Sequence, residues 1–223
     1  LSAPLSINWS KKNPPQYIVG IGNHDVSDSS WLSNWMSNMP ALINTSAYPD
    51  VPGSPQGLYG SVKYNNAIFI WLNYNSVTSS QETFLSNTLI RAKADTQVTW
   101  KFVAFHSPPV NCGTAVHSNW AQGQTWHDKY FQPYGVDLLF LGDNHYYERT
   151  CPFLNGLTKT STDSDKSQYC DASNRGNIIT NTAGVIHLIV GNGGAETEGY
   201  EPTYQCGWLE SPYAKAPNHG FLI

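Results

Sequence analysis

Charge is scarce in this chain: only 13% of its 223 residues are charged, and 12 basic against 16 acidic side chains leave a formal −4 at neutral pH. So thin a charge of that sign offers no cationic surface to a nucleic acid or an anionic membrane. Acidic residues are missing altogether ahead of Asp25, so chemistry that needs a carboxylate must find it downstream or outside the chain. No apolar run approaches the roughly 20 residues of a membrane-spanning helix, and no basic-then-apolar leader stands at the start. The chain is expected to be soluble, with any export signal removed or lying outside it. The four cysteines, Cys112, Cys151, Cys170 and Cys206, include no CxxC pair. That absence argues against a zinc knuckle or a thioredoxin-like site and leaves disulfides as the better reading.

What is present points the same way. Ser, Thr, Asn, Gly, Trp and Tyr are plentiful, a balance suited to a secreted hydrolase-like domain. Three disulfide connectivities are open; the short interval favours Cys151 with Cys170, leaving Cys112 with Cys206. The sequons Asn8-Trp9-Ser10 and Asn44-Thr45-Ser46 would fit glycosylation in an oxidising compartment. The length suffices for one substantial core and does not require two domains.

Three stretches share one plan, an apolar strand that delivers polar groups at its carboxyl end. The first is Tyr17 to Ile21 followed by Gly22-Asn23-His24-Asp25. The second is Phe102 to Phe105 followed by His106-Ser107-Pro108-Pro109, and the third Val136 to Leu141 followed by Gly142-Asp143-Asn144-His145. Open α/β sheets put their chemistry at such ends, where three strands can converge on one site. Between them, periodicity predicts helices over Ser29–Met39, Ser79–Ala94 and Thr125–Gln132, and a β-hairpin from Leu58–Tyr64 and Ala67–Tyr74 about Asn65-Asn66. Strands are expected at Thr99–His106, Asp137–Leu141 and Gly184–Val190, with another starting at Gly220–Ile223. Residues 150–180 read as a polar, Cys-closed excursion. His127 on a helix and His187 within a strand read as packing or surface rather than ligands, and His219 has no assignment.

In that order and strand context the three polar stretches resemble the motif set of calcineurin-like metallophosphoesterases. The last, running on through Tyr146-Tyr147-Glu148-Arg149, resembles the purple acid phosphatase branch, whose pattern reads Gly-His-x-His-x-Tyr-Glu-Arg. Val185 to Gly194, a strand and a Gly-rich turn, resembles the end of that catalytic domain. The resemblance implies an α/β fold, a metallophosphoesterase-like sandwich of two mixed β-sheets flanked by helices, and a phosphomonoester substrate. It implies two divalent or trivalent metal ions, Fe, Zn or Mn, which make a nucleophile of water and neutralise phosphoryl oxygens. By resemblance Asn23, His106, Asp143 and His145 would be metal ligands. His24, oriented by Asp25, would hold the phosphate and assist the leaving group, and His117 would contact substrate. Tyr147, Glu148 and Arg149 read as a buried network behind the site.

Two departures bear on activity. Asp143 stands where the pattern has His, a harder, anionic ligand that shifts preference towards Mg, Mn or Ca, or else a decayed position. The pattern's upstream Asp motifs, including the carboxylate that bridges both ions, are also absent. Residues 1–223 are therefore expected to be one catalytic domain incomplete at the N-terminus, and at the C-terminus too, completed by an N-terminal segment or a separate chain. The rival expectation is a degenerate relative with an extracellular structural or binding role.

Overall fold

A computed structural model of the chain describes residues 18, 20–112, 119–159, 163–174, 183–194, 196, 198, 206–210 and 215–216. Its strands are β1 (Gly60–Tyr64), β2 (Ala67–Trp71), β3 (Trp100–Ala104), β4 (Leu138–Leu141), β5 (Tyr147–Arg149), β6 (Ile186–Val190) and β7 (Lys215–Ala216). They form one seven-stranded sheet in the order β1-β2-β3-β4-β6-β5-β7. The run from β2 through β3 and β4 to β6 is parallel, with antiparallel pairs at both ends. The α/β class is as expected, and all the described strands belong to this one mixed sheet.

The local rules are visible in each element. β1 and β2 are joined through Asn65, whose φ of 51° is the left-handed conformation that Asn tolerates best among residues with a Cβ. Helix α2 (Ser79–Ala94) is capped by the Thr78 side chain, which accepts from the Gln81 amide, and it buries Phe84, Leu85, Thr88, Leu89 and Ala92 at helical spacing. Helix α1 (Trp31–Asn38) lies inside the predicted span and buries Trp35.

Three expectations are corrected. Ile18, Gly20 and Ile21 lie in no strand; a strand needs a hydrogen-bonded neighbour, and among the described residues none runs beside them. Ile21 instead plugs a small core with Trp35, Leu42 and Trp71. The helix expected at Thr125–Gln132 starts earlier, as α3 (Ala121–Trp126), and widens into a π-helical turn at His127–Phe131, which turns Trp126, Tyr130 and Phe131 inward. Tyr147–Arg149 is a strand, too short to show a period in the sequence. The strand expected at Gly220–Ile223 lies outside the described residues.

The two faces of the sheet differ. On one, Ile68, Ile70, Val103, Leu139, Leu141 and Ile189 pack with α2 and the π-helical turn into the main core. Alternation sends Phe69, Phe102, Phe140, Ile186 and Val190 to the other face, where they stay partly exposed. No described helix or strand covers their centre, and Trp100, stacked on Phe102, is 49% exposed. Disulfides join Cys151 to Cys170 and Cys112 to Cys206, as the spacing suggested. Among the described residues no helix is long and apolar enough to cross a membrane.

Candidate functional site

β3 and β4 are parallel neighbours, so the residues that follow them emerge on the same edge of the sheet. The Gly142 amide donates to the His106 carbonyl at 2.8 Å, which fixes the two loops together just beyond the strands. The His106 ring then lies between two glycines. A Cβ at Gly22 would stand 3.1 Å from its Cε1 and one at Gly142 3.2 Å from its Nδ1, so a side chain at either position would crowd the ring and push it by a few tenths of an ångström.

This bracket aims His106 Nε2 at two oxygens. Asn23 Oδ1 lies 3.0 Å away and Asp143 Oδ1 3.3 Å away. Asp143 holds a left-handed φ of 65°, sparsely populated for a residue with a Cβ and recurrent where a side chain must be aimed. Residues far apart in the sequence thus bring one imidazole nitrogen, one amide oxygen and one carboxylate oxygen to a point.

The other assigned residues are placed differently. His145 turns Nδ1 to the Glu196 carbonyl at 2.7 Å, its amide donates to Glu198 Oε2 at 3.2 Å, and Glu198 Oε1 lies 3.8 Å from Nδ1. A ring held through Nδ1 in this way offers Nε2 for ligation. Among the described residues no three His, Cys, Asp or Glu side chains lie close enough together to hold an ion. Asp25 does not orient His24: its Oδ2 accepts the Gly22 amide at 2.8 Å and braces the turn, while His24 stands exposed. His117 lies outside the described residues.

Sequence reasoning missed two neighbours, both supplied by the loop after β2. The Tyr74 ring packs on His106 with centroids 5.3 Å apart. Burial, with the nearby Asp143 carboxylate, pushes its phenol up to about 12. Asn75 donates to the Gly22 carbonyl at 3.1 Å and ties this loop to the first motif. The available signal was their place after the carboxyl end of a buried parallel strand, the position already used to single out the histidines. Beside the site, a cleft of about 440 Å³ runs between Ile18 and Gly20 and the open sheet face at Ala104, Phe140 and Val190, with His106 in its lining.

The network behind the site is as expected in kind. Glu148, fully buried, accepts the Cys112 amide at 3.0 Å, and Arg149 Nη2 lies 4.0 Å from Glu210 Oε2.

No family model matches the chain. An uncharacterized protein of Mycobacterium tuberculosis, found in two strains, is 30% identical over 197 residues, which cover 80% of this chain and 35% of that protein. A protein named probable inactive purple acid phosphatase 27, of Arabidopsis thaliana, is 35% identical over 72 residues, 32% of this chain and 10% of that one. Among solved structures, a purple acid phosphatase from yellow lupin (Lupinus luteus) seeds matches with a TM-score of 0.48 and 20% identity over 75% of this chain and 28% of that one. The chain therefore spans about a third of the length of the Mycobacterium relatives, which it matches over most of its own.

Proposed function

We propose that this chain is part of the catalytic domain of a secreted, acid-phosphatase-like metallophosphoesterase that hydrolyses phosphomonoesters. One observation carries the reading: Asn23 Oδ1 and Asp143 Oδ1 both lie within 3.3 Å of His106 Nε2, at the carboxyl ends of parallel strands. The donor set, one borderline nitrogen and two hard oxygens, one of them anionic, suits a single divalent ion. It does not suit two, since paired cations need bridging negative charge that Asp143 alone does not supply. His145, held through Nδ1, is the candidate for a further ligand. When bound, the ions would supply an acidified water and positive charge against the phosphoryl oxygens.

This chain's own residues do the rest. Asn23 and His106 are set by the Gly22 and Gly142 bracket, Asp25 stiffens the turn that carries His24, and Tyr74 shields one face of His106 from water. His24, exposed beside the cluster, binds the phosphate and gives a proton to the leaving oxygen, with His117 a further substrate contact. The missing ligands come from polypeptide outside residues 1–223. The apolar face that no described helix or strand covers supports this, because a parallel sheet with apolar residues on both faces needs a second covering layer. So does the extra length of the Mycobacterium relatives. The occupant we assign to that face is polypeptide continuous with residue 1. The two disulfides support a secreted location.

A second reading, a catalytically degenerate phosphatase-fold protein with an extracellular structural role, is favoured by Asp143 standing in place of a His. It is favoured too by the likeness to a protein named inactive. Metal analysis and aryl phosphate hydrolysis on the intact protein separate the two. The enzyme reading expects about two ions per chain and metal-dependent turnover that His106→Ala abolishes. Bound metal with no hydrolysis of any phosphate ester, or no metal at all, leaves the structural reading.

A further inference from the structure

Away from the site, two histidines meet inside the protein. His127 opens the π-helical turn and His187 is the second residue of β6; both are 0% exposed, with ring centroids 5.2 Å apart in an edge contact. Phe153 closes on both, at 5.3 Å from His187 and 6.3 Å from His127. Leu139 of β4 is the sheet neighbour of His187. Neither ring nitrogen of His187 has a hydrogen-bond partner among the described residues. Its backbone is satisfied instead by Thr150, just after β5, whose hydroxyl accepts its amide and whose amide donates to its carbonyl. A buried imidazole so placed is stable only when neutral, because a charge there would meet aromatic and aliphatic walls rather than water.

We propose that His127 and His187 form an acid-sensitive latch: a proton on either ring puts charge into this closed pocket, parts the π-helical turn from β6 and opens that flank of the molecule. The groups on the surrounding elements determine how the latch responds. On the π-helical turn, Asp128 Oδ1 lies 3.2 Å from His127 Nδ1, and Lys129 is exposed over Tyr130. From the Cys-closed excursion come exposed Lys159 and buried Lys166, whose Nζ donates to the Leu157 carbonyl at 3.3 Å. From the sheet, the half-buried Asp137 carboxylate at the head of β4 accepts the Lys101 amide. Thr150, just after β5, and Leu188 and Ile186 beside His187 are neutral. Asp128 is thus the one carboxylate in contact with the pair among the described residues. It is already occupied by the amides of Gly156, Leu157 and Thr158, all within 2.9 Å, and by the Thr158 hydroxyl.

Burial lowers both imidazoles below their ordinary value, against the pull of Asp128 on His127 and with the help of His127 on His187. The sign follows. Below the unfolded value of 6.5 the unfolded chain takes up protons that the folded chain refuses, so stability falls as pH drops from there. For His187, which burial holds well below 6.5, the refused proton lowers the folding constant by roughly tenfold at about pH 5.5. A protein bearing this pair has an acid limit built into its core, independent of whether the proposed site is active.

The test is unfolding of the non-reduced protein by urea between pH 7.5 and pH 5, with His187→Leu beside the wild type. The latch expects the wild-type folding constant to fall steeply across this range and the variant to lose about tenfold of that fall at pH 5.5. Equal slopes in both would overturn the proposal. Should His187→Leu not fold, the wild type still decides through the NMR signal of the His187 ring. Silence of that signal until the protein unfolds supports the latch, and a reversible midpoint near 6.5 in the folded state refutes it.

Discussion

Asp143 is the residue on which the two functional readings part. Its left-handed backbone is tolerated by Asp and His alike, so Asp143→His changes the donor without forcing the loop. If the carboxylate is a working ligand, the substitution in the intact protein should move metal preference from Mn towards Zn by roughly tenfold, the scale on which changes around a bound ion act. If it is a decayed position, total metal affinity should rise instead; competition titrations with the two ions separate these outcomes. The identities of Asn23, His106 and Asp143 could be read from the sequence because each sits in a short polar stretch directly after an apolar run. Tyr74 and Asn75 share the position after the carboxyl end of a buried strand, but a Tyr and an Asn there look like any loop, and it is three-dimensional contact that shows them holding His106 and Gly22. The closing of His145 onto Glu196 and Glu198 was equally hidden, because nothing local in the sequence ties those two loops together.

At the scale of elements, periodicity carried α1, α2 and the β1–β2 hairpin, whose buried residues recur at intervals a single segment reveals. It failed where the structure depends on partners. The run before Gly22 has the composition of a strand but no described neighbour to pair with, and Tyr147–Arg149 is a strand because β6 and β7 lie beside it. The π-helical turn is a further case, where Trp126 and Phe131 are buried in ring contact and the helical periodicity of the sequence does not show the widening. Asp128 on that turn is the hinge between elements, accepting three amides at the start of the Leu157–Lys159 turn. Burial would raise its pKa, but the hydrogen bonds from His127, Thr158 and the turn amides outweigh this and hold it below the usual carboxylate range. A depressed carboxylate contributes stability above its unfolded value of 3.8 and loses it as pH falls further, a window below that of the histidine pair. Asp128→Ala should cost about 1–2 kcal/mol at neutral pH, the worth of a good helix cap. Urea unfolding measures it, and an unchanged midpoint would show that the turn does not depend on this carboxylate.

Among the described residues the two faces of the sheet are covered unequally. Helices and the π-helical turn bury one face of the sheet, while Phe69, Phe102 and Phe140 run in mutual contact across the other, with centroids 5.1 Å and 5.9 Å apart. Contiguous apolar surface of this kind is uncommon on a finished soluble domain and marks a place where something packs. The sheet order places this face beside the cleft lined by Ile18, Gly20 and His106, so a layer covering it would also reach the cluster that lacks ligands. On the proposed function, covering this face and supplying the further ligands would be one event. Residues 1–223 alone should accordingly bind a hydrophobic dye such as ANS in the native state, and the double substitution Trp100→Ser with Phe102→Ser should remove most of that signal. If polypeptide continuous with residue 1 covers this face, as proposed, the intact protein should bind little dye and hold metal. Strong dye binding by the intact protein, lost again with Trp100→Ser and Phe102→Ser, would show that the face stays open and that its occupant is a separate chain.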